Sequence, residues 1–220
     1  MVIEPIAYIK NDFVEKFGVP RQSGMVKTVE SKIVFAEKYR DENAVRDIEQ
    51  YSHLWLIWGF SENAGEWSPT VRPPRLGGNK RVGVFATRSP FRPNSMGLSC
   101  VELVRVEDTD EGKCLVVIGA DIKNDTPIYD IKPYLPYVDS IPDARGGFSD
   151  EHKDDGVKVV FSDSCTELEE GVRVQLEEIL SYDPRPSYQN DTQRVYGLSF
   201  GASEVKFTCD GNVLTVIEVK

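Results

Sequence analysis

Leu98-Ser99-Cys100-Val101-Glu102-Leu103-Val104-Arg105-Val106, followed eight residues later by Cys114-Leu115-Val116-Val117-Ile118-Gly119, sets the reading of the whole chain. Both runs are rich in β-branched residues and are separated by Asp, Thr and Gly, the signature of two strands joined by a tight turn. The same rhythm extends outward. Val2–Ile9, Met25–Phe35, His53–Phe60, Val82–Ala86 and Ile128–Ile131 read as further strands, bounded by Gly, Pro, Asn and Asp at short spacing. Few helical stretches intervene, so βαβ units are disfavoured and a mainly β domain, either closed barrel-like or a sandwich, is predicted over residues 1–140. One helix is predicted within it, over Asp41–Gln50, with Val45 and Ile48 on one face.

The pattern changes after residue 140. Residues 141–156 are rich in Asp, Gly and Ser and read as a linker. Beyond them, Thr166-Glu167-Leu168-Glu169 has the form of a capping box, and Leu168, Val172, Leu176, Ile179 and Leu180 recur at helical spacing. That predicts a helix ending near Tyr182, ahead of Asp183-Pro184. Val205–Cys209 and Val213–Val219 flank Asp210-Gly211-Asn212, a hairpin turn sequence. Residues 157–220 therefore form a small α+β C-terminal domain in this reading.

Composition narrows the function classes. The chain has 220 residues, 40% hydrophobic and 28% charged, which suits a folded globular protein. The longest apolar run, Leu54–Phe60, is far shorter than the roughly 18 residues of a bilayer helix. With no secretory leader pattern at Met1–Pro5, the expectation is a cytoplasmic protein without a membrane partner. Cys100, Cys114, Cys165 and Cys209 are far apart and the only histidines are His53 and His152, so no metal site is expected and a Ser-His-Asp triad is disfavoured. No G-x-G-x-x-G or Walker sequence is present, which disfavours a Rossmann or P-loop nucleotide site.

The net charge of −10 argues against a polyanionic partner until its distribution is examined. Residues 67–101 contain no acid and six bases, Arg72, Arg75, Lys80, Arg81, Arg88 and Arg92, whereas residues 139–183 contain thirteen acids and four bases. Arginines set among prolines and glycines suit planar recognition of phosphate or carboxylate. The same residues would also suit a tightly turned rim whose arginines satisfy carbonyls. Asp130 and Lys132 share a face of an extended segment, a spacing that more often makes a structural ion pair than a catalytic couple. His53 fits a strand end better than a base. Trp55, Trp58 and Trp67 fit a core, with stacking on a nucleobase as the alternative.

Arg72 through Gly97, together with Asp130-Ile131-Lys132-Pro133-Tyr134-Leu135-Pro136, closely resembles the TsaA/YaeB-like, or TrmO, family of S-adenosylmethionine-dependent tRNA (adenine-N6)-methyltransferases. Pro20-Arg21-Gln22, Ser52-His53-Leu54-Trp55 and Asp183-Pro184-Arg185-Pro186-Ser187-Tyr188 add to the likeness, which spans nearly the whole chain. The resemblance implies a homodimer with the cofactor near the subunit interface. It also implies methylation of N6 of the threonylcarbamoyladenosine beside the anticodon of a threonine tRNA. Carried over position by position, it implies cofactor contacts at Pro20, Arg21, Gln22, Ser61, Glu62, Arg88, Leu98, Asp121, Ile122, Lys123 and Asn124. Arg72, Arg75, Arg92, Asn94, Asp130, Lys132 and Tyr134 are the expected substrate-side residues, and Asp130, Tyr134 and Asp121 the candidates for catalytic roles. Two departures stand out: many relatives carry His-Gln where this chain has Ser61-Glu62, and Asp-Gly where it has Asn124-Asp125 ahead of Thr126-Pro127. The alternative from a different class is a noncatalytic β-barrel module that holds RNA or a nucleotide on the same arginine rim.

Overall fold

The structure, a computed structural model, describes residues 2–63, 67–76, 80–152, 156–185 and 191–220, with the side chains of residues 63, 75 and 152 excluded. In chain order the regular elements are β1 (Ala7–Lys10), β2 (Glu30–Phe35), β3 (His53–Gly59), β4 (Thr70–Val71), β5 (Val82–Gly83), β6 (Met96–Thr109), β7 (Gly112–Ile118) and β8 (Pro127–Pro133). They continue with α1 (Pro136–Asp139), β9 (Lys158–Phe161), α2 (Glu170–Ser181), β10 (Tyr196–Phe200), β11 (Ser203–Asp210) and β12 (Val213–Val219). The chain is mainly β.

Six strands close into a ring in the order β1-β2-β7-β6-β3-β8, with β8 returning to pair antiparallel with β1. Period-two alternation drives it: Leu54, Leu56 and Trp58 of β3 are buried between half-buried neighbours. They meet Ile9, Ile33, Leu115, Val117 and Ile128 in one apolar cluster. Removing such a side chain to alanine typically costs about 2–5 kcal/mol, so this cluster, not the rim, carries the ring's stability.

The second sheet has the order β10-β11-β12-β9, the β12–β9 pair being parallel, and α2 lays Leu176, Ile179 and Leu180 against it. Phe13, Val26 and Val29, which precede β2 in the chain, pack into this second cluster and not into the ring. Glu178 of α2 holds them there, accepting from the amides of Lys27 and Thr28 at 3.0 and 2.9 Å. That explains why the strand expected from Met25 begins only at Glu30: the preceding backbone is bonded to a helix side chain instead of a ladder.

Three other expectations are corrected. Residues 41–50 form two 3₁₀ turns, Glu42–Val45 and Ile48–Gln50, because Asp47 between them adopts φ 65°, which no helix accommodates. Thr166 does not cap the start of α2: it closes the 3₁₀ turn Asp163–Cys165, and α2 starts after Glu169 without a side-chain cap bond. Val84–Ala86 is a 3₁₀ turn, so the strand expected over 82–86 ends at Gly83. The helix end at Ser181 and the 210–212 turn agree with the sequence reading. No helix among the described residues is long and apolar enough to cross a membrane.

Candidate functional site

One face of the β3–β6 pair carries a cavity of about 480 Å³, inside the size range of small-molecule sites. Its floor exists because Gly97 stands opposite Trp58 in the ladder: a Cβ at residue 97 would lie 2.2 Å from the indole. Trp58 and Phe60 pack ring to ring at 4.3 Å between centroids, and with Trp55 they give the cavity an aromatic wall. Trp55 is oriented by its indole N–H, which donates to Asp139 at 3.0 Å. That bond, with the amide of Leu135, holds the Asp139 carboxyl below the usual carboxylate range.

Asp121 closes the inner end. The Trp58 indole donates to Ser99 Oγ at 2.9 Å, and the Ser99 hydroxyl donates onward to Asp121. Arg88 also attracts the carboxylate. Burial outweighs all of these and pushes the Asp121 carboxyl up from its ordinary value. A largely buried carboxyl so raised, at the wall of a cavity, has the character of a proton acceptor working nearer neutrality.

The opposite wall is the Pro20–Gln22 loop. Gly24 donates its amide to the Gly119 carbonyl at 2.8 Å, and the two backbones meet so closely that a Cβ at residue 119, where φ is +82°, would lie 3.2 Å from Gly24 Cα. Arg88 crosses the mouth to donate to Gln22 Oε1 at 2.6 Å. Lys123 and Glu62 form an ion pair on the same rim. The two positions at which the sequence departs from the pattern implied by the resemblance thus meet: Glu62 pairs with Lys123, which opens the 123–125 loop.

Of the expected cofactor residues, Pro20, Arg21, Gln22, Ser61, Glu62, Arg88, Leu98, Asp121 and Lys123 all line this cavity. Ile122 points into the ring core with 0% exposure, and Asn124 accepts from the Asn11 amide at 3.0 Å away from it. Among the substrate-side residues whose side chains are described, only Arg92 lines the cavity; it also donates to the carbonyls of Val84 and Thr87, bracing its loop. Arg72 and Asn94 are exposed outside the cavity. Arg75 lies in a 3₁₀ turn, its side chain outside the described residues. Asp130 pairs with Lys132 at 2.9 Å, the structural role that spacing favours. Tyr134 stands 5.8 Å from Trp55, ring to ring. Trp67, expected in the core, is 56% exposed. Pro186, Ser187 and Tyr188 of the tail motif lie outside the described residues.

Sequence reasoning passed over Ser99, Met96, Gly97 and Phe60. Ser99 had a signal: a polar residue at an inward position of an apolar strand demands a buried partner. Among the described residues no group of three metal-ligating side chains gathers.

A closed ring of strands with an aromatic-walled, cation-rimmed cavity on its outer loops defines a β-type small-molecule site, a class apart from doubly wound nucleotide folds. Residues 8–140 match the tRNA-methyltransferase O N-terminal domain and residues 156–220 the TrmO C-terminal domain, and the chain belongs to the TrmO family. It is 40% identical to a tRNA (adenine(37)-N6)-methyltransferase of Escherichia coli over 89% of this chain and 87% of that one. It is 39% identical to a putative S-adenosylmethionine-dependent methyltransferase of Pseudomonas aeruginosa, with the same coverage of both. The crystal structure of TrmO from Pseudomonas aeruginosa superposes with a TM-score of 0.79 at 29% identity, covering 100% of this chain and 98% of that chain.

Proposed function

We propose that this protein is an S-adenosylmethionine-dependent tRNA methyltransferase acting on N6 of the adenosine beside the anticodon, and that the cavity holds the methyl donor. The single observation that carries the reading is the convergence at that cavity of cations for a carboxylate, aromatic faces for an adenine and the raised carboxyl of Asp121. The donor set fits S-adenosylmethionine: Arg88 and Lys123 suit the methionyl carboxylate, and Trp58 and Phe60 suit the adenine. When bound, S-adenosylmethionine supplies an electrophilic methyl group; the rest is the work of this chain's residues.

A ureido-substituted N6 is a weak nucleophile because its lone pair is delocalised. A base that takes the N6 proton contributes about 10²-fold or more. We assign that role to Asp121 Oδ, whose burial raises its proton affinity while Ser99 fixes its orientation. Tyr134 beside Trp55 is the surface on which the target base stacks. Arg92 faces the threonyl carboxylate of a threonylcarbamoyl adenosine, a charge whose absence lets the site reject plain adenosine. Arg72, Arg75, Lys80 and Arg81 are assigned to tRNA phosphates, and of these Arg72, Lys80 and Arg81 do not line the cofactor cavity. The unit of action in this reading is a cytoplasmic homodimer with the cavity near its interface, supported by the family resemblance and by Phe85, Phe91 and Leu98 left exposed around it. Residues 1–140 act as the catalytic, barrel-like domain, 141–156 as a linker and 157–220 as the α+β C-terminal domain.

The test is methyl transfer from labelled S-adenosylmethionine to purified threonine tRNA, with and without its threonylcarbamoyl group. Label is expected only on the modified tRNA. Equal labelling of both would contradict the carboxylate assignment, and no labelling of either would contradict the enzyme.

A further inference from the structure

The Pro20–Gln22 wall of the cavity is held from the far end of the chain. Tyr182, the residue that ends α2, donates its hydroxyl to the Met25 carbonyl at 2.9 Å. One nitrogen of the Arg21 guanidinium donates to the carbonyls of both Asp183 and Arg185. Those two carbonyls are aimed by an unusual turn. Asp183 has φ +46°, a left-handed conformation that aspartate tolerates better than most residues and that its surroundings here enforce. The enforcement is Arg185, 8% exposed, whose Nε and Nη2 grip the two Asp183 carboxylate oxygens at 2.8 and 2.9 Å. Its guanidinium lies over the Tyr196 ring of β10, which anchors the turn to the second sheet.

We propose that the Tyr182–Arg185 turn is a positioning element for the methyl-donor site, acting through Arg21, an inference that rests on the cofactor reading above. Tyr182 and Arg185 fix the two ends of the loop. The loop carries Gln22, which receives Arg88, and Ser23, whose hydroxyl accepts from the Cys100 amide of β6 at 3.2 Å. Arg185 itself touches neither cofactor nor substrate. It acts by keeping two carbonyls in the one arrangement that Arg21 can bridge, and only a planar, two-pronged cation can do so on a carboxylate. The C-terminal unit is thereby coupled to cofactor affinity.

The test is S-adenosylmethionine binding by calorimetry on the full chain, at a temperature where thermal melting shows every variant folded. Misplacing the loop by a fraction of an ångström should raise the Kd about tenfold in Arg185→Lys and about threefold in Tyr182→Phe. In the Arg21→Ala background, Arg185→Lys should add less than about twofold, because the two lie on one path. Amide exchange of residues 22–25 in the protein without cofactor should accelerate in both single variants. Should Arg185→Lys not fold, Tyr182→Phe carries the test by the same two readouts. A wild-type Kd in the single variants, or the full tenfold effect persisting on top of Arg21→Ala, overturns the proposal while leaving the cofactor reading intact. Absence of S-adenosylmethionine binding by the wild-type protein overturns both.

Discussion

The loop from Val84 to Arg92 and the turn from Tyr182 to Arg185 are both organised by arginine, in opposite ways. In the first, Arg88 is exposed and reaches across a cavity mouth to one glutamine oxygen. In the second, Arg185 is buried, gripped by a carboxylate through two nitrogens and laid on an aromatic ring. Asp183 accordingly raises the Arg185 pKa above its ordinary value. The difference lies in solvation: a buried arginine is fixed by partners it cannot exchange, whereas an exposed one keeps donors available to an incoming anion. The first serves recognition and the second architecture.

Arg185→Ala breaks the contrast most strongly. It strips a buried turn of its cation and leaves the Asp183 carboxylate unpaired, so a loss of about 3 kcal/mol is expected. For a domain of this size that lowers the melting temperature by about 6–12 °C. Calorimetric melting checks it; a midpoint within a degree of wild type would mean that the turn stands without its strut.

Asp121→Asn should come next, and with the opposite sign on stability. A carboxyl whose folded pKa is raised binds protons more tightly in the folded state. Its penalty is absent below the ordinary carboxylate value, grows as pH climbs from there through the raised native value, and is complete above it. The amide removes that penalty, so the variant should melt at or above the wild-type temperature at pH 7 and lose the advantage in acid. Methyl transfer should fall about 10²-fold in kcat with cofactor affinity little changed. A kcat near wild type would remove Asp121 from proton transfer.

Arg88→Ala should weaken S-adenosylmethionine binding about tenfold, the scale of one charged hydrogen bond, while leaving the melting temperature within a degree or so. An unaltered Kd would assign the cofactor carboxylate to other cations. The smallest effect belongs to the Glu62–Lys123 pair. Both partners are partly exposed, so the coupling energy from a cycle of Glu62→Gln and Lys123→Met should stay below about 1 kcal/mol. A larger coupling in cofactor affinity would mean that Glu62 sets how Lys123 meets the methionyl carboxylate.

The sequence made the ring strands legible through β-branched and aromatic runs bounded by Gly, Pro, Asn and Asp; inward and outward positions alternate plainly in β3, whereas β7 is buried without a break from Cys114 to Val117. It made the cavity legible at Pro20–Gln22 and Arg88 through family motifs, and at Asp121 through a polar turn. Phe13, Val26 and Val29 were opaque: nothing local says that apolar residues ahead of β2 pack with α2, some 150 residues away. The same holds for Ser99, whose meaning depends on Trp58 across the ladder, and for Asp47, whose left-handed backbone ends a helix that the apolar spacing favours. Periodicity reports which face is buried; it is silent on which partner buries it.

Nucleoside mass spectrometry of total tRNA from a strain lacking this gene tests the central claim most directly. Loss of N6-methylated threonylcarbamoyladenosine is expected, restored by the wild-type gene and only weakly by Arg88→Ala. An unchanged nucleoside profile, in an organism that carries the modification, would contradict it.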